Sequence, residues 1–311
     1  MSPTEGRWRQ LHNPPAVREH RCAFRSKPNP STKQNRLLRL EQNRHPAEII
    51  HCSGVVRREL LYRALVTPST WTPLLRCAIA RVLKRTRVVI RRDGVSLEAG
   101  TGEGQGGWTV ISGEQYEPEL VPWLNLLKPG QIVADIGANI GTYSLRASNR
   151  VGERGTVVAF EPMPNTLELL RRNCARNGAS NIVIVPKAVG AEVGRTTLRT
   201  SGHHSSASIV NSAFSIGFDA EITTIDYILP ELKLARLDHV KMDIEGAEPL
   251  ALQGMETTIR SYKPTILFEA GPSVRETINL LSSFSYEIGR YDVGGCWSAD
   301  LGGGNLFARP H

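Results

Sequence analysis

The sequence predicts a doubly wound α/β domain over its C-terminal two-thirds, and three observations predict it. From Gln131 onward, short apolar runs of strand length alternate with stretches of helical periodicity; such alternation implies parallel strands joined by right-handed helical crossovers. The chain of 311 residues is long enough to bury a core in one large domain with extensions. Its hydrophobic fraction of 40% and charged fraction of 22% are those of a soluble globular protein and exclude fibrous and collagen-like classes.

The N-terminal third has a different character. Residues 1–92 hold 20 Lys and Arg against five Asp and Glu, a net +15, whereas the remainder is net −7, so the basic charge belongs to one end of the chain. A basic arm can bind nucleic acid or an anionic membrane, but the same composition is the usual one of a disordered tail. Residues 1–54 carry Pro14, Pro15, Pro28, Pro30 and Pro46 among many Arg, Asn and His without sustained periodicity, and read as a disordered basic extension.

Residues 55–111 read as helical segments and a hairpin leading into the core. Thr72 and Pro73 have the character of an N-cap and first helical position, after which Leu74, Leu75, Ala78, Ile79, Val82 and Leu83 recur at helical spacing. The opposite face, with Arg76, Lys84 and Arg85, would suit peripheral membrane contact by residues 72–87; packing on its own domain is the commoner fate of such a helix. Strand-like pieces at 87–91 and 108–111 flank a glycine-rich stretch, 100–107, which lacks the Lys and following Ser or Thr of a phosphate loop.

Cys22, Cys52, Cys77, Cys174 and Cys296 are odd in number, widely separated and free of any C-x-x-C pair. This argues against a zinc site or a disulfide framework and fits a reducing compartment. There is no apolar run of membrane-spanning length and no apolar signal-peptide core, so the expectation is a soluble, cytoplasmic protein.

In the core, strands are predicted at 132–135, 157–160, 182–185, 239–242, 265–268, 286–289 and 306–309. The stretch PMPNTLELLRRNCARNG predicts a helix between the second and third. Asn165 with Glu168 resembles a capping box, Met163, Leu167, Leu170 and Cys174 form one apolar stripe, and Gly178 is placed to stop the helix.

Ligands of a doubly wound sheet bind beyond the carboxyl ends of its strands, so the residues there are the informative ones. Four are acidic: Asp135, Glu161, Asp243 and Glu269. After the first strand, Gly137 and Gly141 allow a tight turn and close approach to a ligand, with Asn139 between them and the next helix aimed into the site. Glu161 ends the following strand, where a carboxylate can accept hydrogen bonds from both hydroxyls of a ribose. An adenosine-containing cofactor is implied.

The loop lacks the G-x-G-x-x-G of a dinucleotide site, and Asp135 beside it suits a cation better than a pyrophosphate, because like charges repel strongly where water is scarce. S-adenosylmethionine, with an ammonium and a sulfonium, fits where a nicotinamide dinucleotide fits badly.

The segment HVKMDIEGAEPLALQGM sets Lys241, Asp243, Glu245 and Glu248 across a strand end and a helix start. Glu248 is explained by the helix dipole alone. Asp243, Glu245 and Glu269 are candidate catalytic residues, since carboxylates around one cleft can hold a divalent ion, deprotonate a hydroxyl or bind sugar hydroxyls. No metal site is predicted. His203 and His204 lie in a polar segment with no ligand-spaced partner and read as exposed.

VADIGANIGTYSL, VVAFEPMPNTLELLRRNCARNG, VPKAVG, TTIDYIL, DHVKMDIEGAEPLALQGM and PTILFEA, in this order and spacing, resemble the FkbM family of S-adenosylmethionine-dependent methyltransferases. The resemblance covers about residues 112–309 and implies a Rossmann-like class I methyltransferase domain at 112–311, with a seven-stranded sheet whose last strand is antiparallel. It implies O-methylation of a hydroxyl on a sugar, glycan or polyketide-type natural product, the acceptor being a small molecule, a glycan or lipid-linked. Asp135, Gly137, Asn139 and Gly141 would shape the methionine end of the cofactor site, and Glu161 would hold the ribose.

Two other readings compete. A nucleic-acid methyltransferase could use the basic arm, but the place of its Asn/Asp-Pro-Pro-Tyr/Phe loop reads Asp243-Ile244-Glu245-Gly246, and an acidic loop suits a polyanion poorly, so no nucleic-acid partner is expected. A non-catalytic module binding cofactor or glycan is the second.

Overall fold

The computed structural model describes residues 87–100, 120–200, 207–208, 216–292, 295–299, 301–302 and 304–311. The expected extension at 1–54, the helix from Thr72, the strand at 108–111, and His203 and His204 lie outside the described residues.

The first described element is a hairpin of β1 (Arg87–Arg92) and β2 (Val95–Gly100). Its turn is Asp93-Gly94, at φ 49° and 79°, and not the glycine-rich stretch at 100–107. Two successive positive φ values give the reverse twist that joins right-twisted strands in two residues, and Asp-Gly supplies them at little cost.

Helix α1 (Leu120–Leu126) leads into β3 (Ile132–Ile136), α2 (Thr142–Val151), β4 (Thr156–Phe160), α3 (Pro164–Asn177) and β5 (Ile182–Val185). Four short strands follow, β6 (Ala188–Val189), β7 (Gly194–Thr200), β8 (Ala207–Ser208) and β9 (Ile216–Thr223). The chain then runs through α4 (Ile225–Glu231), β10 (His239–Met242), α5 (Glu248–Gln253), α6 (Glu256–Tyr262), β11 (Thr265–Glu269), α7 (Val274–Ser283), β12 (Tyr286–Tyr291), β13 (Trp297–Ser298) and β14 (Asn305–Pro310).

The main sheet has the order β13-β12-β14-β11-β10-β3-β4-β5. Strands β5, β4, β3, β10 and β11 are parallel, and β14 enters antiparallel between β11 and β12. This is the doubly wound sheet with an antiparallel last strand that the sequence implies, enlarged at one edge by the two-residue β13. Val133, Val157, Leu267 and Phe307 face α1 and α2, whereas Ala134, Ile136, Val158, Phe160, Val240, Met242, Ile266 and Phe268 face α4 to α7. Because the strands are buried on both faces, they read as continuous apolar runs in the sequence. Each fully buried Phe or Leu among them contributes about 1.5 to 3 kcal/mol.

Helix α3 buries the expected stripe of Met163, Leu167, Leu170 and Cys174 and ends on left-handed Gly178. Its start differs from expectation. Pro164 is the first helical residue, Met163 is the N-cap without a side-chain cap, and Glu168 pairs with Arg172 one turn on. Pro at the first position needs no capping partner for its missing N–H.

Asn173, fully buried, joins three parts of the fold. Its Oδ1 accepts from Glu98 N at 2.7 Å, and its Nδ2 donates to Glu98 O at 3.1 Å and Ile140 O at 2.8 Å. The second sheet, β6-β9-β7-β8, was not expected. In β9, Phe218, Ala220 and Ile222 pack with Ala188 and Leu198 while Asp219 and Glu221 alternate with them.

Asn173→Ala strands three backbone groups in an apolar setting and is expected to cost about 2 to 4 kcal/mol. Urea denaturation followed by far-UV dichroism checks this; a loss below about 0.5 kcal/mol would mean that water replaces the amide.

Candidate active site

Strand β3 lies between β4 and β10 with its crossovers leaving in opposite directions, so the loops after the three strands part to leave a cleft at this switch point. The cleft spans about 640 Å³ together with the solvent in its open mouth, and its lining includes Asn139, Phe160, Glu161, Lys187, Leu198, Asp243 and Glu245.

The loop after β3 is held to the end of β4, where Gly137 N and Ala138 N both donate to Phe160 O, at 3.1 and 2.9 Å. Gly137 (φ 82°), Asn139 (φ 51°) and Gly141 (φ 89°) all lie in the left-handed region. The sequence assigns these glycines to ligand approach; Gly137 is among the residues lining the cleft, and both glycines also have close protein neighbours. A Cβ on Gly137 would drive into the carbonyl oxygen of Asp243, and one on Gly141 would stand 2.7 Å from Leu170 Cδ1.

Glu161 follows β4 and joins two loops through its carboxylate. Its Oε2 accepts from Asn139 N at 2.9 Å, and its Oε1 from Met163 N at 2.8 Å. Burial pushes its pKa up to about 7 from 4.5; the two backbone donors and Lys241 pull it down, and Asp135 pushes it up. A carboxylate has room for about four hydrogen bonds, so two acceptor directions remain for a ligand.

Asp135 is not at the strand tip, as the sequence suggests, but within β3, which continues to Ile136; it is fully buried. Its Oδ2 accepts from Ser144 Oγ at 2.6 Å, and its Oδ1 has no hydrogen-bond partner among the described residues. Lys241 is its register partner in β10. The buried Lys241 Nζ stands 3.5 Å from Asp135 Oδ1, 3.5 Å from Asp243 Oδ2 and 5.0 Å from the centroid of the Tyr143 ring.

Beyond β10, Asp243 lies in the cleft with its side chain 32% exposed, and Glu245 follows at φ 54°. A left-handed glutamate costs about 1 kcal/mol or more and persists only where its surroundings enforce it. Glu248 does the enforcing. Fully buried, it accepts from Ile244 N at 3.2 Å and Gly246 N at 3.4 Å through Oε1, and from Ser273 Oγ at 2.7 Å through Oε2. The helix-dipole account of Glu248 therefore falls short: this carboxylate ties the loop after β10 to the start of α7. Glu269 is the last residue of β11, in register with Asn305, and is not among the lining residues of the cleft.

The structure thus gathers Gly137, Asn139, Glu161, Asp243 and Glu245 at one cleft, sets Asp135 behind them, and leaves Gly141 and Glu269 outside the lining. Sequence reasoning left Lys241, Lys187 and Leu198 without a role and gave Glu248 only that of complementing a helix dipole. Among the described residues no group of three His, Cys, Asp or Glu is arranged to hold a metal ion, and no helix is long and apolar enough to cross a membrane.

Residues 135–288 match the model of the methyltransferase FkbM domain. These residues form a domain of the FkbM methyltransferase family. It is 25% identical over 165 residues to methyltransferase sdnD of Sordaria araneosa, across 42% of this chain and 62% of that one. To methyltransferase 1 of Beauveria bassiana it is 24% identical over 146 residues, across 40% and 58%. The chain therefore spans about three-fifths of the length of these curated relatives. Among solved structures it is similar to methyltransferase FkbM of Methylobacillus flagellatus KT, at 18% identity and a TM-score of 0.41, covering 80% of this chain and 59% of that one. The FkbM match begins at Asp135 and includes every cleft residue discussed above.

Gly137→Ala both strains a positive φ and collides with the Asp243 carbonyl; it is expected to destabilise by about 1 to 3 kcal/mol in urea titration. An unaltered midpoint would show that the loops separate freely.

The Glu161 shift also carries a sign. A carboxyl titrating near 7 when folded and 4.5 when unfolded stabilises the fold fully below about pH 4.5, and that contribution is lost as pH rises through 7. It amounts to something on the order of 3 kcal/mol. The melting temperature of the wild type, measured relative to Glu161→Gln, is expected to fall between pH 4.5 and 7; a constant difference across that range would refute the buried-acid account.

Proposed function

We propose that the protein is an S-adenosylmethionine-dependent O-methyltransferase acting on a hydroxyl of a sugar, glycan or polyketide-type natural product. The observation that carries this reading is one cleft lined by Glu161 on one side and by Asp243 and Glu245 on the other. The donor set fits the cofactor. Glu161 keeps two acceptor directions for ribose hydroxyls, Phe160, Val189, Leu198 and Ile244 offer apolar wall, and the acidic lining of Asp243 and Glu245 suits a cation. No paired glycines present a helix start to a pyrophosphate.

The cofactor when bound supplies a methyl group activated on a sulfonium. What the chain contributes is alignment of the hydroxyl oxygen, exclusion of water and removal of the proton. With the donor bound, a carboxylate oxygen of Asp243 or Glu245 would accept the hydroxyl proton as the oxygen takes the methyl group. The strained backbone of Glu245 favours a role for its side chain in the cleft, since Gly or Asn would occupy that position more cheaply.

Labelled S-adenosylmethionine offered with a panel of glycans, lipids and nucleic acids is expected to transfer tritium to a hydroxyl acceptor as an ether. Transfer to RNA or DNA alone would favour the nucleic-acid alternative, and donor binding without any transfer the non-catalytic one. On the labelled acceptor, Asp243→Asn or Glu245→Gln is expected to lower turnover by about 10²- to 10⁴-fold with the fold intact. Glu245→Gly should raise the melting temperature while lowering turnover, and intact turnover in all three variants would remove both residues from the chemistry.

A further inference from the structure

Lys241 is a lysine in the middle of an apolar layer. On its face of the sheet its register partners are Leu267 and Asp135, the same layer includes Val133, Val157 and Phe307, and it is 3% exposed. An ammonium there must give up its water, and a buried ion pair seldom returns more stability than apolar residues of the same volume would. Stability alone therefore does not account for the residue. Its position is more telling, because the ammonium stands 3.5 Å from two carboxylates at once: Asp135, beneath the loop after β3, and Asp243, in the cleft. A third carboxylate in the cleft, Glu161, responds to Lys241 and to Asp135 in opposite directions.

Resting on the donor reading above, we propose that Lys241 is a positioning residue of the transfer site. By holding Asp135 and Asp243 on one ammonium, it sets the cleft's electrostatic preference between a cationic sulfonium donor and the neutral thioether that the donor becomes. Without the lysine, Asp135, Asp243, Glu161 and Glu245 would together favour the cation in the ground state. During transfer the sulfur loses its positive charge as the S–CH3 bond breaks and the bonding pair returns to it. An interaction that disfavours charge on sulfur therefore gains strength along the reaction and lowers its barrier. The lysine also keeps Asp243 directed at the cleft while Ser144 anchors Asp135 from the other side.

Calorimetric titration of the full chain with S-adenosylmethionine and, separately, with S-adenosylhomocysteine gives the ratio of the two dissociation constants. In Lys241→Met that ratio is expected to move about tenfold toward the sulfonium donor. Lys241→Arg, which keeps the charge, should stay within about threefold of the wild type. Asp243→Asn should move the ratio the other way, and it tests the proposal even if Lys241→Met does not fold. A purely structural lysine would weaken both ligands together; a ratio within about twofold of the wild type in Lys241→Met, or in Asp243→Asn when the former is unfolded, overturns the proposal. Wild-type protein that binds neither ligand overturns the donor reading and this proposal with it, whereas binding whose ratio ignores Lys241 and Asp243 overturns this proposal alone.

Discussion

The close passage of Gly137 beneath the carbonyl of Asp243 is the constraint on which the rest of the site depends. Two loops leave the carboxyl ends of adjacent parallel strands, β3 and β10, and run to opposite faces of the sheet. They can part to form a cleft only beyond the point where their backbones meet. A residue with no Cβ at that point lets the strands remain in register to their last residues. That register in turn sets Lys241 beside Asp135 in the sheet and leaves Asp243 at the lip.

The chemistry of the site is built by giving each buried charge a different partner. Glu248 is saturated by two backbone N–H groups and a serine hydroxyl, and its work is architectural. Glu161 receives a donor on each oxygen and is still pushed up by burial, which leaves it sensitive to what a ligand offers. Asp135 has a short hydrogen bond on one oxygen and, on the other, an ion pair with Lys241 at 3.5 Å in place of a hydrogen bond. Satisfaction thus declines from the loop tie through Glu161 in the cleft to Asp135 buried behind it, and the unspent hydrogen-bonding capacity of Glu161 faces the ligand space.

Much of this was legible in the sequence, for reasons that can be named. The strands expected at 157–160 and 265–268 emerge within one residue of those bounds because a strand buried on both faces reads as a near-continuous apolar run. Asp243 and Glu161 were recognisable because the fold class says where strand tips point. Other features were written in signals passed over. The hairpin turn lies in Asp93-Gly94, a pair that carries the strongest short-range hairpin signal. The second sheet was announced by strict alternation at 217–222, where Phe218, Ala220 and Ile222 face inward. Lys241 and Glu248 were not legible at all. Their partners come from β3, from the loop before α5 and from Ser273, and no local pattern reveals which distant group will share a buried charge.

The small sheet has a consequence for how this scaffold can diversify. Its strands are contributed by one continuous stretch between β5 and β10, and no strand of the eight-stranded sheet interrupts it. Ala188, Val189 and Leu198 nevertheless form part of the cleft wall, opposite a rim built from the ends of β3 and β4. Evolution can therefore recarve that wall by rewriting one insert, leaving the framework strands and their folding untouched.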